Sequence, residues 1–339
     1  MGVPMPVEKL RFALPSKGRM QDPALDFMQL SGLRVARPNP RQYTASIRGV
    51  PSAQVFFQRS KDVYRQVNAG TVDAGITGLN DYAEQRHEND ETVLVIDDLG
   101  FGRCELLLAV PSAWTEVNTL ADLATLAYQR GAASPLRVAT QYPNLVGSFL
   151  RASDVPGFQL ETGFDGTLEM APAMDTADII ADLSETGTSI KENHLKPLEG
   201  GTILKSQACL IGNRRTLAAD HKLEMARSLL ELMEASLRAQ DFYSLIANVA
   251  GESAEAVAQR IVQRPELAGL TGPTISPVYP KSGAGHWFAV NVVVDHARLI
   301  TAIDHLREIG ATGMEAIPTK YVFEDRCRAF ERLVAEVQR

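Results

Sequence analysis

The sequence predicts an α/β protein with two lobes built on mostly parallel sheet, followed by a small α+β module. Three observations point there. Short apolar runs ending in glycine-containing turns alternate with helical patterns, as in a sheet assembled from strand–helix–strand units. A long apolar run from Arg103 to Pro111, preceded by Gly100 and Gly102, reads as a crossing between lobes. Pro265, Gly269, Gly272 and Pro273 then mark a boundary before a separate strand–helix–strand pattern.

Taken in order, residues 10 to 15 read as the first strand, Ser16-Lys17-Gly18-Arg19 as a turn, and Leu25, Met28 and Leu30 as one face of a helix closed by Gly32. Lys17 and Arg19 therefore stand at a strand end, where open α/β sheets place ligands. Two solvated basic residues in a turn is the plainer alternative. Residues 53 to 57 form a second strand. A helix with Asp62 as candidate N-cap carries Val63 and Val67 and stops at Gly70. Residues 72 to 78 form a third strand whose Gly75 and Gly78 imply close approach of backbone or ligand.

Residues 119 to 128 fit a short helix, and residues 136 to 140 a strand that leads through Gln141-Tyr142-Pro143-Asn144 into a helix reaching Leu150. Residues 204 to 211 read as a strand returning to the first lobe. From His221 to Gln240, Leu223, Ala226, Leu230, Met233 and Leu237 step by three and four, a helical period. Residues 253 to 264 fit another helix. Trp287 to Val294 is a strand, Leu299, Ile303 and Leu306 lie on a helix, and residues 313 to 318 form the next strand. Phe323, Cys327, Phe330, Val334 and Val337 make a final stripe, more readily packing than a partner surface. The expected division is lobe I from residues 1–107 and 201–250, lobe II from 108–200, a C-terminal domain from 265–323 and an extra helix over 324–339.

The stretch from Phe164 to Asn193 carries the clearest chemistry. Asp178-Ile179-Ile180-Ala181-Asp182 reads as a buried strand or short helix and delivers the chain into Ser184-Glu185-Thr186-Gly187-Thr188-Ser189. A small, hydroxyl-rich loop pivoting on glycine can turn several N–H groups toward phosphate oxygens. Asp182 on its edge is placed to accept hydrogen bonds from sugar hydroxyls or to help hold a divalent cation. Together these suit a phosphorylated sugar, although Thr-Gly-Thr is also common in ordinary turns.

Composition narrows the class. The 339 residues carry 34 basic and 41 acidic side chains, a net charge of −7, which argues against a general nucleic-acid surface. Cys104, Cys209 and Cys327 are far apart, without the spacing of a zinc site or disulfide framework, and fit a reducing cytoplasm. The N-terminal stretch has no apolar core of signal-peptide length, and Pro6 stands where a myristoylation motif wants Ser or Thr. No run approaches the ~18 apolar residues of a membrane span.

Several motifs recur in one order: Leu14-Pro15-Ser16-Lys17-Gly18-Arg19, Phe56-Phe57-Gln58-Arg59-Ser60-Lys61-Asp62, Asp73-Ala74-Gly75-Ile76-Thr77-Gly78, and Arg137-Val138-Ala139-Thr140-Gln141-Tyr142-Pro143-Asn144. Asp165-Gly166 through Glu169-Met170-Ala171-Pro172 to Ala177-Asp178 follows, then Asp182 with Thr186-Gly187, and Pro273-Thr274-Ile275-Ser276-Pro277. In these the chain resembles the ATP phosphoribosyltransferases that open histidine biosynthesis, from about Arg11 to Phe323. The resemblance implies two lobes of the periplasmic-binding-protein type (type II) with the site in their cleft. It also implies the long form of the enzyme, whose ferredoxin-like C-terminal domain binds histidine as feedback inhibitor. Magnesium as cofactor and a homo-oligomer, dimer or hexamer, are further implications.

By the same resemblance, ATP and phosphoribosyl pyrophosphate would give phosphoribosyl-ATP and pyrophosphate. Thr186, Gly187, Thr188 and Ser189 would cradle the ribose 5-phosphate, Asp182 would hold the ribose hydroxyls, and Asp178, on the phosphoribosyl pyrophosphate side, would orient the loop or face the core. Lys17, Arg19, Arg59 and Lys61 would neutralise ATP or the leaving pyrophosphate, and Tyr142 and Glu169 would line the nucleotide pocket. Asp182 and Arg59 are the candidate catalytic residues. The chain departs from the family pattern at Asp175-Thr176, at Glu185, at Leu79-Asn80 and in residues 324 to 339. A catalytically silent regulatory paralogue and a non-catalytic ligand-binding protein on the same scaffold are the alternatives.

Overall fold

The first strand, β1 (Leu10–Pro15), is buried at every residue but Arg11. The computed structural model describes residues 8–39, 41–164, 167–281 and 285–339. The Asp165-Gly166 motif and the Met1-Gly2 and Pro6 positions lie outside the described residues. After β1 come α1 (Gln21–Leu30), β2 (Val35–Ala36), β3 (Thr44–Ile47), β4 (Val50–Gln58), α2 (Ser60–Asn68), β5 (Ala74–Gly78), α3 (Leu79–Gln85) and β6 (Thr92–Ile96). Lobe II holds β7 (Cys104–Pro111), α4 (Leu120–Arg130), β8 (Leu136–Thr140), α5 (Pro143–Ala152), β9 (Phe158–Glu161), β10 (Ile179–Ser184), α6 (Thr188–Glu192) and β11 (Leu195–Ser206). The chain then returns through β12 (Ala208–Asn213) and α7 (Arg214–Leu217) to α8 (Asp220–Ala239).

Lobe I is a seven-stranded sheet in the order β2-β3-β4-β1-β5-β12-β6, with β4, β1 and β5 parallel. Lobe II is a five-stranded sheet in the order β11-β7-β10-β8-β9, in which β10, β8 and β9 run parallel. Its core gathers Leu106, Leu108, Leu123, Leu136, Val138, Val146 and Leu150. Asp73, fully buried at the foot of β5, is neutralised by Arg11 at 2.7 Å and Lys222 at 3.2 Å, tying β1, β5 and α8 together. Unpaired, that charge would be costly to bury.

The lobe boundaries differ from those expected. Both β7 and β11 lie wholly in the lobe II sheet, so the changeovers fall before Cys104 and at Gln207, not at 107/108 and 200/201. Residues 204 to 211 are two strands, split at Gln207 because the ladder partners change there from β7 to β5. The two crossings are stitched together: Gln207 donates to the Asp97 carbonyl at 2.9 Å, and Leu99 N–H to Ala208 O at 3.0 Å. The ladder of β11 on β7 is irregular between Pro197 and Leu204. Asp62 lies in the first turn of α2, where its charge suits the helix dipole, and Arg59 occupies the N-cap.

A second compact unit, with Arg227–Glu331, holds β13 (Phe242–Ala250), α9 (Ala254–Ile261), β14 (Thr274–Val278), β15 (Trp287–Asp295), α10 (Leu299–Glu308) and β16 (Thr312–Pro318). Its antiparallel sheet runs β14-β15-β13-β16, the ferredoxin-like β-α-β-β-α-β arrangement. The expected domain of residues 265–323 was therefore too short, and residues 242–250 do not belong to lobe I. β13 is the strand between β15 and β16, with Leu245, Ala247 and Val249 turned to the core. Small buried residues straight after a long helix gave it a weak alternation signal. The final helix, α11 (Arg328–Val337), is shorter than the expected 324–339. Among the described residues no helix is long and apolar enough to cross a membrane.

The glycines of β5 do mark a close approach. A Cβ on Gly75 would lie 2.7 Å from Val63 Cγ1 of α2 and 2.9 Å from Ala13 Cβ of β1. Gly75→Ala is expected to cost ~1–3 kcal/mol by overpacking, whereas Gly163→Ala, with open space around it, should be near neutral. Chemical denaturation of the two variants measures the difference.

Candidate active site

Five strand ends converge on the cleft between the lobes. β1 ends in Ser16–Arg19, β4 in Arg59, β5 in Gly78, β8 in Gln141 and β10 in the loop Glu185-Thr186-Gly187. Contacts across the cleft bring them together. Arg19 pairs with Glu185 at 2.6 Å and also donates to Cys104 Sγ at 3.4 Å. Asn80 donates to the Tyr142 hydroxyl at 2.9 Å, while within lobe I Ser60 donates to Asp81 at 2.8 Å.

The loop after β10 is a tight turn that leads into α6. Gly187 takes φ +73°, a left-handed turn favoured by glycine, and has open space around its Cα. The Ser184 hydroxyl accepts from Gly187 N–H at 2.9 Å, and the Thr186 and Thr188 hydroxyls meet at 2.8 Å. A cavity of about 240 Å³ is lined here by Arg19, Glu169, Asp182 and Thr186 to Ser189. Seven of the expected site residues thus share one space. Glu185, one of the departures from the family pattern, is turned onto Arg19.

Asp182 is half-buried, and its Oδ1 accepts from Leu183 N–H at 2.7 Å. Burial, reinforced by the nearby Glu169, pushes its carboxyl up to about 6. Asp178 is elsewhere. It precedes β10, at the end of the strand away from the loop, where Arg137 N–H donates at 2.8 Å and the Arg130 guanidinium lies at 2.9 Å. Burial opposes its ionisation, but Arg137 and Arg130 prevail and hold it below the usual carboxylate value. Its expected role at the phosphate loop is corrected: four residues of strand span ~13 Å.

A larger cavity of about 650 Å³ is lined by Lys61, Asp81, Glu84, Gln141, Tyr142 and Asn144, among others. Burial, with Asp81 close by, raises the Tyr142 hydroxyl, so it stays a neutral donor. Glu169 lies with the phosphate loop, not with Tyr142. Arg59 and Lys17 line neither cavity. At the N-cap of α2 and in the β1–α1 turn, their side chains make no hydrogen bond or ion pair among the described residues. Asp81 and Glu84, which line this cavity, were not singled out from the sequence. The helix start after Gly78 was the signal that could have located Asp81.

The family of known proteins follows from comparison of the whole chain. The family model described as ATP phosphoribosyltransferase matches residues 59–235, and that of its C-terminal domain matches residues 239–318. The chain belongs to the ATP phosphoribosyltransferase family. It is 38% identical over 336 residues to ATP phosphoribosyltransferase 2, chloroplastic, of Arabidopsis thaliana, covering 97% of this chain and 81% of that one. It is 31% identical to ATP phosphoribosyltransferase of Bradyrhizobium sp. (strain ORS 278), covering 96% and 98%. An ATP phosphoribosyl transferase (HisG:HisZ) complex from Thermotoga maritima shares the fold, with a TM-score of 0.52 and 22% identity over 68% of this chain and 98% of that one. An enzyme of this family, of histidine biosynthesis, is therefore supported over a non-catalytic binding protein.

The Asp182 environment has a pH signature. A carboxyl lifted from 3.8 to about 6 on folding contributes stability below pH ~4 and loses it as pH rises through ~6. Relative to Asp182→Asn, the wild type should lose ~2 kcal/mol between pH 4 and pH 7. Denaturant unfolding of both proteins at the two pH values measures it, and a difference independent of pH would refute the burial effect.

Proposed function

We propose that this enzyme joins ATP and phosphoribosyl pyrophosphate, the adenine N1 attacking ribose C1 as pyrophosphate leaves. The loop from Thr186 to Ser189 beside Asp182, in a chain of this family, is the observation that carries the reading. The N–H groups and hydroxyls of the loop suit the ribose 5-phosphate. Asp182 suits the ribose hydroxyls and the positive charge that develops at C1 as the leaving group departs. Such a reaction needs positioning and charge stabilisation more than a strong base.

The larger cavity with Lys61, Gln141 and Tyr142 is the pocket we assign to ATP. Arg19 stands beside the phosphate loop, where it can meet the leaving pyrophosphate. Lys17 and Arg59, whose side chains have no partner among the described residues, can reach nucleotide phosphates near the strand ends, and Glu169 is reassigned to the phosphoribosyl side. Among the described residues no three His, Cys, Asp or Glu side chains gather as a metal cage. Asp182 and Glu169 by the loop still fit magnesium, which keeps most of its waters and binds through one or two carboxylates and substrate phosphates. Bound there it would neutralise pyrophosphate charge. We assign feedback by histidine to the C-terminal domain and a homo-oligomer to the assembly, and three buried free cysteines accord with a reducing cytoplasm.

Pyrophosphate release should require both substrates and magnesium, be suppressed by histidine, and fall ~10²–10³-fold in Asp182→Ala and Thr186→Val. Absence of turnover from folded protein would return the choice to a silent paralogue. Because Glu185 competes for Arg19, Glu185→Gln should bind inorganic pyrophosphate about two- to fivefold more tightly, as measured by titration calorimetry. Weaker binding would instead make Glu185 part of the anion site.

A further inference from the structure

Glu84 is a buried carboxylate that the reaction does not use, 8% exposed on the face of α3. Its two oxygens accept from the N–H groups of Asn144 at 2.9 Å and Leu145 at 3.0 Å, and its carbonyl accepts from Asn144 Nδ2 at 3.0 Å. These donors are the first turn of α5, which belongs to the other lobe. The helix cannot cap itself. Tyr142 at the N-cap makes no side-chain cap, and Pro143 has no N–H to offer. A carboxylate from lobe I therefore supplies both the missing acceptors and a negative charge at the positive end of the helix dipole.

Four residues earlier on the same face, Asn80 completes the brace. Its N–H donates to Ser206 Oγ at 3.0 Å, the Ser206 hydroxyl donates to Asn80 Oδ1 at 2.8 Å, and Asn80 Nδ2 donates to the Tyr142 hydroxyl. Ser206 is the last residue of β11, next to the crossing at Gln207. Tyr142 is thus gripped at its hydroxyl by Asn80, and the residues after it by Glu84. Both grips border the larger cavity, and neither touches the loop from Thr186 to Ser189.

We propose that Glu84 is a positioning residue: by capping α5 across the lobe boundary it fixes Tyr142 and Gln141, so the nucleotide end of the site stands preformed and does not depend on closure of the lobes. This rests on the assignment of the larger cavity to ATP. A built-in anion also occupies the α5 N-terminus, which excludes it as a seat for the nucleotide phosphates.

Titration calorimetry of the full chain with ATP and, separately, with inorganic pyrophosphate tests it. Glu84→Gln keeps the size but turns an amide N–H toward a backbone N–H. It should weaken ATP about tenfold, the loss of one charge-assisted bond, and leave pyrophosphate within about twofold. Asn80→Ala spares the cap and releases Tyr142, and should show the same selective loss even if the Glu84 variant does not fold. Equal weakening of both ligands, or unchanged ATP binding in a folded variant, would reduce Glu84 to a structural cap. Wild type that binds pyrophosphate but not ATP would overturn the cavity assignment and the inference with it.

Discussion

The absence of side-chain volume in the middle of β5 is the constraint on which lobe I depends. With no Cβ at Gly75, α2 can lie against the sheet with Val63 over Ala13. That depth sets where the first turn of α2 emerges, and so lets Ser60 reach both Thr77 and Asp81. The buried Asp73 with its two cations immediately precedes the same strand, which ends at Gly78, from which α3 carries Asn80 and Glu84 toward the other lobe. One narrow strand therefore determines the height of a helix, the start of a second, and the reach across the cleft.

Much of this was legible in the residues, and the parts that were not have physical reasons. Strand–turn–helix order places ligands at strand ends without any knowledge of the sheet, so Arg19, Asp182 and the Thr186-to-Ser189 loop could be brought to one site from the sequence. Asp178 misled because nearness in sequence is not nearness along a strand: on β10 it stands at the end opposite the loop. β13 was overlooked since its inward residues, Leu245, Ala247 and Val249, alternate with residues of mixed polarity and are short on aromatic bulk. Glu84 had no local signature, because a cap supplied by another lobe leaves its trace only as a missing cap at Tyr142.

The electrostatics of the site are local and balanced. A chain of net charge −7 holds polyanions through a few cations, and Arg19 already has a carboxylate partner in Glu185. Association with phosphates then becomes an exchange of one anion for another, which salt screens only modestly at contact distance and strongly beyond about 10 Å. The neighbouring Asp182, kept near 6 by burial, is poised to ionise more readily whenever cationic character grows beside it.

The single residue at Gln207 has a mechanical meaning. Two strands of different sheets joined by one residue have no loop to take up slack, and the stitching of Gln207 to Asp97 and of Ala208 to Leu99 stiffens the joint further. The nearest irregular segment is then where the ladder offers the fewest restraints. That is the stretch of β11 between Pro197 and Leu204, where the ladder on β7 loses its register around Gly200 and Gly201. Lobe II can bend along its own outer strand while the joint stays stiff, so the geometry of the cleft is insulated from strain arising at that edge.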